Sequence, residues 1–232
     1  FIRSFNISSM LPLTDFSREN SFLSIYKTRN ILLIEVSMLK KFFFINKKMY
    51  NIYIMTLVEI KKGLYNIILD LRYASKNNIT GKKIFLENKC FLHAEAAQKL
   101  KEASTIANNM GFYLKIFDAY RPKYVQKILW EFDPNPSFLS NPDKGSPHTK
   151  GIAVDLTLTD KNEKELFMGT DFDDFTSMAF HLSVDITKEA IINRRLLLSI
   201  MALAGFDHYL NEWWHYQLYE PGKYPLIDNY FA

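Results

Sequence analysis

Residues 146–158 read SPHTKGIAVDLTL. From Gly151 onward the stretch is a short apolar run bounded by turn residues, which predicts a strand over 151–158. Alternation puts Ile152, Val154, Leu156 and Leu158 on one face and Ala153, Asp155 and Thr157 on the other. The first face reads as core. The second is small and polar, as the floor of a site would be. A carboxylate inside a strand is costly to bury unless something pairs with it. His148 stands just before the strand, and Gly151 allows a tight backbone turn between them. Imidazole nitrogen and carboxylate oxygen are both zinc donors, and a catalytic zinc takes three protein ligands and leaves one position open.

The third donor has to come from elsewhere in the chain. There are five histidines: His93, His148, His181, His208 and His215. His215 lies in EWWHY, three residues after Glu212 and next to Trp213 and Trp214. A carboxylate beside a metal site can serve as a general base. The pattern HxxGxxxD followed some 57 residues later by ExxH is much more specific than either half. His93 and His208 read as surface or capping residues, and His181 as structural. The acidic run DFDD at 171–174 reads by itself as a solvated loop.

Outward from this stretch, the elements mix without regular βαβ units. YNIILDLRYA (65–74) predicts a strand followed by a polar loop. LHAEAAQKLKEASTIANNM (92–110) predicts a helix closed by Gly111. FYLKIFDAY (112–120) predicts a strand, and PKYVQKILWEF (122–132) a helix with Pro122 in its first turn. A turn-rich loop follows at 132–147. Thr187 caps a helix running to about Ala204, before Gly205, and EWWHYQLY (212–219) predicts a last, aromatic strand. The fold class this predicts is α+β, with helices flanking a central, largely antiparallel sheet.

The chain has 232 residues and 48% hydrophobic residues, enough for one sizeable core. Its net charge of +4 is unevenly placed. Residues 1–55 hold eight Lys/Arg against three Asp/Glu, and the remainder 21 against 22. The body therefore offers no basic face for nucleic acid. The first 62 residues have no glycine and a single proline, Pro12. This predicts a division into an extension at 1–55, poorly structured or serving in targeting, and a catalytic domain at 56–232. Within 38–58, lysines interrupt the apolar runs, so no membrane span is expected. Lys40 and Lys41 resemble the start of a signal peptide without a convincing cleavage site. Met38, Met49 and Met55 are candidate starts. Cys90 is the only cysteine and reads as an apolar filler.

HTKGIAVD (148–155) and EWWH (212–215) resemble the zinc D-Ala-D-Ala peptidases, and DAYRP (118–122) narrows the resemblance to the D-alanyl-D-alanine dipeptidases. DLRYASKNNITGK (70–82), LTL with MGTDFD (156–158, 168–173) and NRRLL…IM…GF (193–206) extend it over about 60–230. The resemblance implies the zinc D-Ala-D-Ala peptidase fold, shared with hedgehog-like domains. It implies one zinc ion per chain, held by His148, Asp155 and His215. Glu212 would be the general base. Arg121 would stabilise the developing oxyanion, with Asp118 orienting it. Tyr73, Ser146 and Asp173 match substrate-binding positions, Asp173 facing the free amino group of the dipeptide. The family often carries a second serine before the first zinc histidine; here Pro147 stands there, with neither hydroxyl nor N–H to offer. The expected activity is hydrolysis of the small dipeptide D-Ala-D-Ala. The alternatives are a peptidoglycan D,D- or L,D-carboxypeptidase and a zinc-binding module without catalysis. A cytoplasmic location is expected, or export if the N-terminal segment acts as a signal. Oligomeric state and physiological role stay open.

Overall fold

The apolar run after Gly151 becomes the middle of a sheet because both of its faces find cover. A computed structural model of the chain describes residues 57–227. The expected extension at 1–55, its candidate starts and its signal-like stretch lie outside the described residues. In chain order the elements are β1 (Leu57–Ile60), α1 (Lys62–Tyr65), β2 (Ile68–Leu69), β3 (Cys90–His93), α2 (Ala94–Asn109), β4 (Tyr113–Asp118), α3 (Lys123–Phe132), β5 (Ala153–Thr159), α4 (Lys188–Leu203), β6 (Asp207–His208) and β7 (His215–Gln217).

Five strands form one sheet in the order β2-β4-β5-β7-β6. Only β2 and β4 run parallel; the other neighbours are antiparallel. β1 and β3 make a separate antiparallel pair. The fold is therefore the expected α+β, with helices α2 and α4 packed together and against the sheet.

Every residue of β5 is buried. The face carrying Ile152, Val154, Leu156 and Leu158 joins the main core with Leu114 and Ile116 of β4, Leu100 of α2 and Leu197 and Ile200 of α4. The other face, expected to be the floor of a site, is buried as well, with Asp155 lining a cavity. α2 lays Ala96, Leu100, Ala103 and Ala107 along one stripe. Its alanines let the helix axis come close to its neighbours.

Several boundaries differ from expectation. The strand expected at 65–74 shrinks to Ile68–Leu69, between α1 and a 3₁₀ turn at Arg72–Ala74. Asp70 N–H makes one more bond to Ile116 O, and the chain then turns so that Tyr73 O accepts from both Ile84 N–H and Phe85 N–H. The helix expected from 92 begins at Ala94, because Leu92 and His93 pair with Val58 and Leu57 in β3. His93 caps that helix, its Nδ1 accepting from Glu95 N–H, and it is a buried cap rather than a surface residue. Pro122 precedes α3 as its N-cap instead of lying in its first turn. Thr187 caps α4 through Ala190 N–H, as expected. The aromatic strand is only His215–Gln217, because Glu212–Trp214 form a turn. His208 is a half-buried residue of the edge strand β6, and Cys90 is buried in the core. Among the described residues no helix is long and apolar enough to cross a membrane.

Candidate metal centre and cleft

Sheet register builds the centre. β5 and β7 align so that Asp155 lies directly opposite His215, and cross-strand partners project to the same face. His148 arrives from the 3₁₀ turn at His148–Lys150 just before β5. Gly151 ends that turn at φ +67°, and a Cβ there would lie 2.6 Å from Leu57 Cδ2 and 3.1 Å from the His93 nitrogen. A side chain would push the turn off β3 and carry His148 with it.

The three donor atoms form a tight triangle. His215 Nδ1 lies 3.0 Å from Asp155 Oδ1 and 3.1 Å from His148 Nε2, and His148 Nε2 lies 3.3 Å from Asp155 Oδ1. Tetrahedral zinc with bonds of about 2.0–2.2 Å spaces its donors about 3.3–3.6 Å apart. The triangle falls within a few tenths of an ångström of that. The far nitrogens are also engaged. His148 Nδ1 faces Ala119 O at 2.8 Å, and His215 Nε2 faces Gln217 Oε1 at 3.0 Å. With those two nitrogens donating, lone pairs are left on the two that face each other, as metal-binding imidazoles require. This donor set fits zinc.

All three residues are buried. Burial alone would raise the Asp155 carboxyl, but contacts from His148 and His215 hold it well below the usual range. Burial likewise opposes the charged form of His215, and the Asp155 carboxylate overrides it, lifting the imidazole to about 9.

Arg121 sits behind the triangle. A register shift in the β4–β5 pairing, between Ile116 and Asp118, sets Asp118 opposite Asp155. Arg121 then bridges both carboxylates. Its Nε donates to Asp118 Oδ2 at 2.8 Å, and its Nη2 lies 2.7 Å from the same oxygen and 3.4 Å from Asp155 Oδ2. Nη1 donates to Gln126 Oε1 at 2.9 Å, and Gln126 Nε2 donates in turn to Ser140 O. The guanidinium lies 4.8 Å over the Tyr73 ring. Of the five N–H groups of a guanidinium, these contacts leave one on Nη1 without a partner among the described residues.

Glu212 lies in the turn before β7, its Oε2 3.8 Å from His215 Nδ1. Burial pushes its carboxyl up to about 8; His215 pulls against this and Asp155 adds to it. Asp173 is buried and adopts φ +63°, a left-handed conformation that costs a non-glycine residue energy and persists only where its surroundings impose it. Tyr73 Oη donates to Asp173 Oδ1 at 3.0 Å. Burial raises the Asp173 carboxyl to about 7. Ser146 Oγ accepts from His148 N–H at 3.2 Å, and Pro147 contributes only its carbonyl, which accepts from Lys150 and Ile152 N–H.

All of the expected site residues, Tyr73, Arg121, Ser146, His148, Asp155, Asp173, Glu212 and His215, line one cavity of about 270 Å³. Gln126 and Gln217 also line it and were not anticipated. Each carries a readable signal. Gln126 interrupts the buried stripe of α3 between Val125 and Leu129, and Gln217 shares the alternating face of His215.

A buried His–His–Asp triangle of zinc dimensions next to a high-pKa glutamate belongs to a metallopeptidase, and the comparisons agree. The family model described as D-ala-D-ala dipeptidase matches residues 54–232, and the chain belongs to that family. It is 38% identical over 178 residues to the D-alanyl-D-alanine dipeptidase of Escherichia coli (strain K12), covering 76% of this chain and 91% of that protein. To the D-alanyl-D-alanine dipeptidase of Enterococcus faecium it is 32% identical, covering 72% and 92%. To that of Streptomyces coelicolor it is 33% identical, covering 70% and 89%.

Proposed function

We propose that this chain hydrolyses the free dipeptide D-Ala-D-Ala to two molecules of D-alanine. The observation that carries the reading is the pairing, in one small cavity, of the zinc-type triangle with two further buried carboxyl groups, those of Glu212 and Asp173. Binding pockets for larger ligands run to about 300–1,000 Å³, so about 270 Å³ suits a short substrate.

His148 Nε2, His215 Nδ1 and Asp155 would hold one zinc ion, which supplies Lewis acidity to the scissile carbonyl and to the attacking water. The residues of the chain do the rest. Glu212 takes a proton from the attacking water and gives it to the leaving amine, a double duty favoured by a carboxyl whose pKa lies near neutrality. Arg121 would donate its remaining Nη1 N–H to the oxyanion. Its other donors are tied to Asp118, Asp155 and Gln126, so the group needs no reorganisation as charge develops. Asp173, held by Tyr73, pairs with the free amino group. Ser146 contributes a hydroxyl beside the metal.

Purified full-length chain, loaded with zinc, tests this on D-Ala-D-Ala, L-Ala-L-Ala and a stem pentapeptide ending in D-Ala-D-Ala. Release of D-alanine from the free D,D-dipeptide alone is the expected result. Cleavage of the pentapeptide would move the protein to the carboxypeptidases. Stoichiometric zinc with no cleavage would leave a binding module.

A further inference from the structure

The sequence NRR at 193–195 begins a motif that the cleft does not use. Arg194 is almost fully buried on α4 and lines no part of the cavity. Its Nε and Nη1 are instead spent on main-chain carbonyls, while the buried Nη2 has no hydrogen-bond partner among the described residues. Nε donates to Met168 O at 2.6 Å, and Nη1 donates to Met178 O and Phe180 O, both at 2.9 Å. The neighbouring Asn193 Nδ2 donates to Phe167 O at 2.9 Å. Burial pulls the guanidinium down to about 10, so it is still charged at neutral pH. A buried cation of this kind is costly unless its hydrogen bonds are made.

These carbonyls belong to the two ends of one loop. Met168 is at its start, Met178 and Phe180 are at its end, and Asp173 lies between them. Apart from the 3₁₀ turn at Ser177–Ala179 the loop has no regular structure to hold its shape. The planar, pre-organised fork of Arg194 fixes one end against the other. Gly169 brings the loop close onto α4: at φ +89°, its Cβ would lie 3.1 Å from Ala190 Cβ, one turn before Arg194. The same loop also meets the turn that carries Glu212. Trp213 N–H donates to Ala179 O at 3.1 Å, Trp213 Nε1 donates to Thr170 Oγ1 at 2.8 Å, and His181 N–H donates to Leu210 O at 2.9 Å.

We propose that Arg194 is a positioning residue for the reaction: by tying the ends of the 168–180 loop together on α4, it sets Asp173 in place and braces the turn that carries Glu212. Arg194 lines no part of the cavity and acts through those backbone carbonyls and through the Trp213 ring, whose centroid lies 5.8 Å from its guanidinium carbon. The strained left-handed backbone of Asp173 is what such a clamp has to sustain. The inference rests on the dipeptidase reading for the roles of Asp173 and Glu212. A lysine cannot replace the clamp, because a single ammonium cannot span the two ends as a fork does.

The test compares full-length, zinc-loaded wild type with Arg194→Met, Arg194→Lys and Thr170→Val. Three quantities are read: zinc stoichiometry, KM and kcat on D-Ala-D-Ala against its N-acetylated form, and amide hydrogen exchange. Arg194→Met is expected to keep zinc and to lose about 10²-fold in kcat/KM, the scale of a misplaced substrate contact. The loss should appear largely in KM, with a smaller preference for the free amino terminus. Amides of 168–181 should exchange faster while those of β5 stay protected. Arg194→Lys should recover little. An Arg194→Met protein that holds zinc and keeps the wild-type KM, selectivity and exchange pattern would overturn the proposal. If that variant does not fold, Arg194→Lys decides: wild-type KM, selectivity and exchange in 168–181 would overturn the clamp. Thr170→Val removes only the Trp213 bond and reads the brace on the Glu212 turn, which an unchanged kcat with unchanged exchange in 168–181 would overturn. Wild type without activity on D-Ala-D-Ala would refute the dipeptidase reading, and the exchange comparison would still decide whether Arg194 holds the loop.

Discussion

Asp155 and His215 stand opposite one another across β5 and β7, and their donor atoms are 3.0 Å apart. Strand pairing alone therefore assembles two of the three zinc-type donors, and a slip of one residue would turn Asp155 to the other face. Glu212 lies outside the strand, in the turn that leads into β7, so it reaches the same cleft without being a donor.

That separation predicts different phenotypes three residues apart. His215→Ala should lose zinc and activity together. Glu212→Gln should keep one zinc per chain and lose activity by about 10²–10⁴-fold, the usual contribution of a general base. Metal analysis alongside kcat checks this. Equal metal loss in both variants would overturn the assignment of roles.

With Gln217 Oε1 accepting from His215 Nε2, a neutral His215 would keep Nδ1 free for the proposed metal. Replacing Gln217 with leucine removes the acceptor while keeping a similar volume. Zinc affinity should fall by about 10–100-fold, the range for outer partners of metal ligands. Competition against a chromophoric chelator measures it, and an unaltered affinity would mean that Gln217 does not set the tautomer.

Much of this site can be read from the chain because strands alternate. Asp155 on the polar side of an apolar run, and His148 and Gly151 just before it, are local features. So is the Glu–His spacing of EWWH. What local pattern does not show is where the second face of β5 is buried, since its cover comes from distant elements. The short strands β1, β2 and β6 are likewise defined by their partners more than by their own two to four residues. Arg194 looks like one more charge on a helix; only the fold reveals that it bonds three loop carbonyls, those of Met168, Met178 and Phe180. His93 illustrates the same point: its capping role is local, and its burial is tertiary.

Arg121 is held by Asp118, Asp155 and Gln126 at once. Arg121→Lys keeps a positive charge but cannot reproduce the planar fork. Activity should fall by about 10²–10³-fold, as when an oxyanion donor is lost. The drop should be in kcat, with zinc retained. A loss confined to KM would place Arg121 in ground-state binding instead.

Asp173 and Tyr73 make the end of the cleft assigned to the amino group. Asp173→Asn keeps the shape and removes the charge. The kcat/KM ratio between D-Ala-D-Ala and its N-acetylated form should shrink by about tenfold or more, since hydrogen bonds to charged groups contribute about 1.5–3 kcal/mol. A ratio equal to wild type would remove Asp173 from amino-group recognition.

His181 links the fold to pH. Burial pulls its imidazole down to about 4, with His208 and Arg194 adding to the effect. In the unfolded chain histidine titrates near ~6.5. Between these values the unfolded chain binds the proton and the folded protein does not, so stability rises with pH across that window. The contribution is fully present above ~6.5 and is lost as pH falls toward 4, amounting to about 3 kcal/mol at most. Glu212 and Asp173, whose carboxyls are raised by burial, act with the opposite sign and are common to wild type and variant. The difference between wild type and His181→Gln therefore isolates this residue. Urea denaturation at pH 7.0, 5.5 and 4.5 (chosen as roughly spanning the window) should show wild type losing stability faster than the variant as pH falls. Parallel curves would mean that His181 stays as easily protonated in the folded protein as in the unfolded chain.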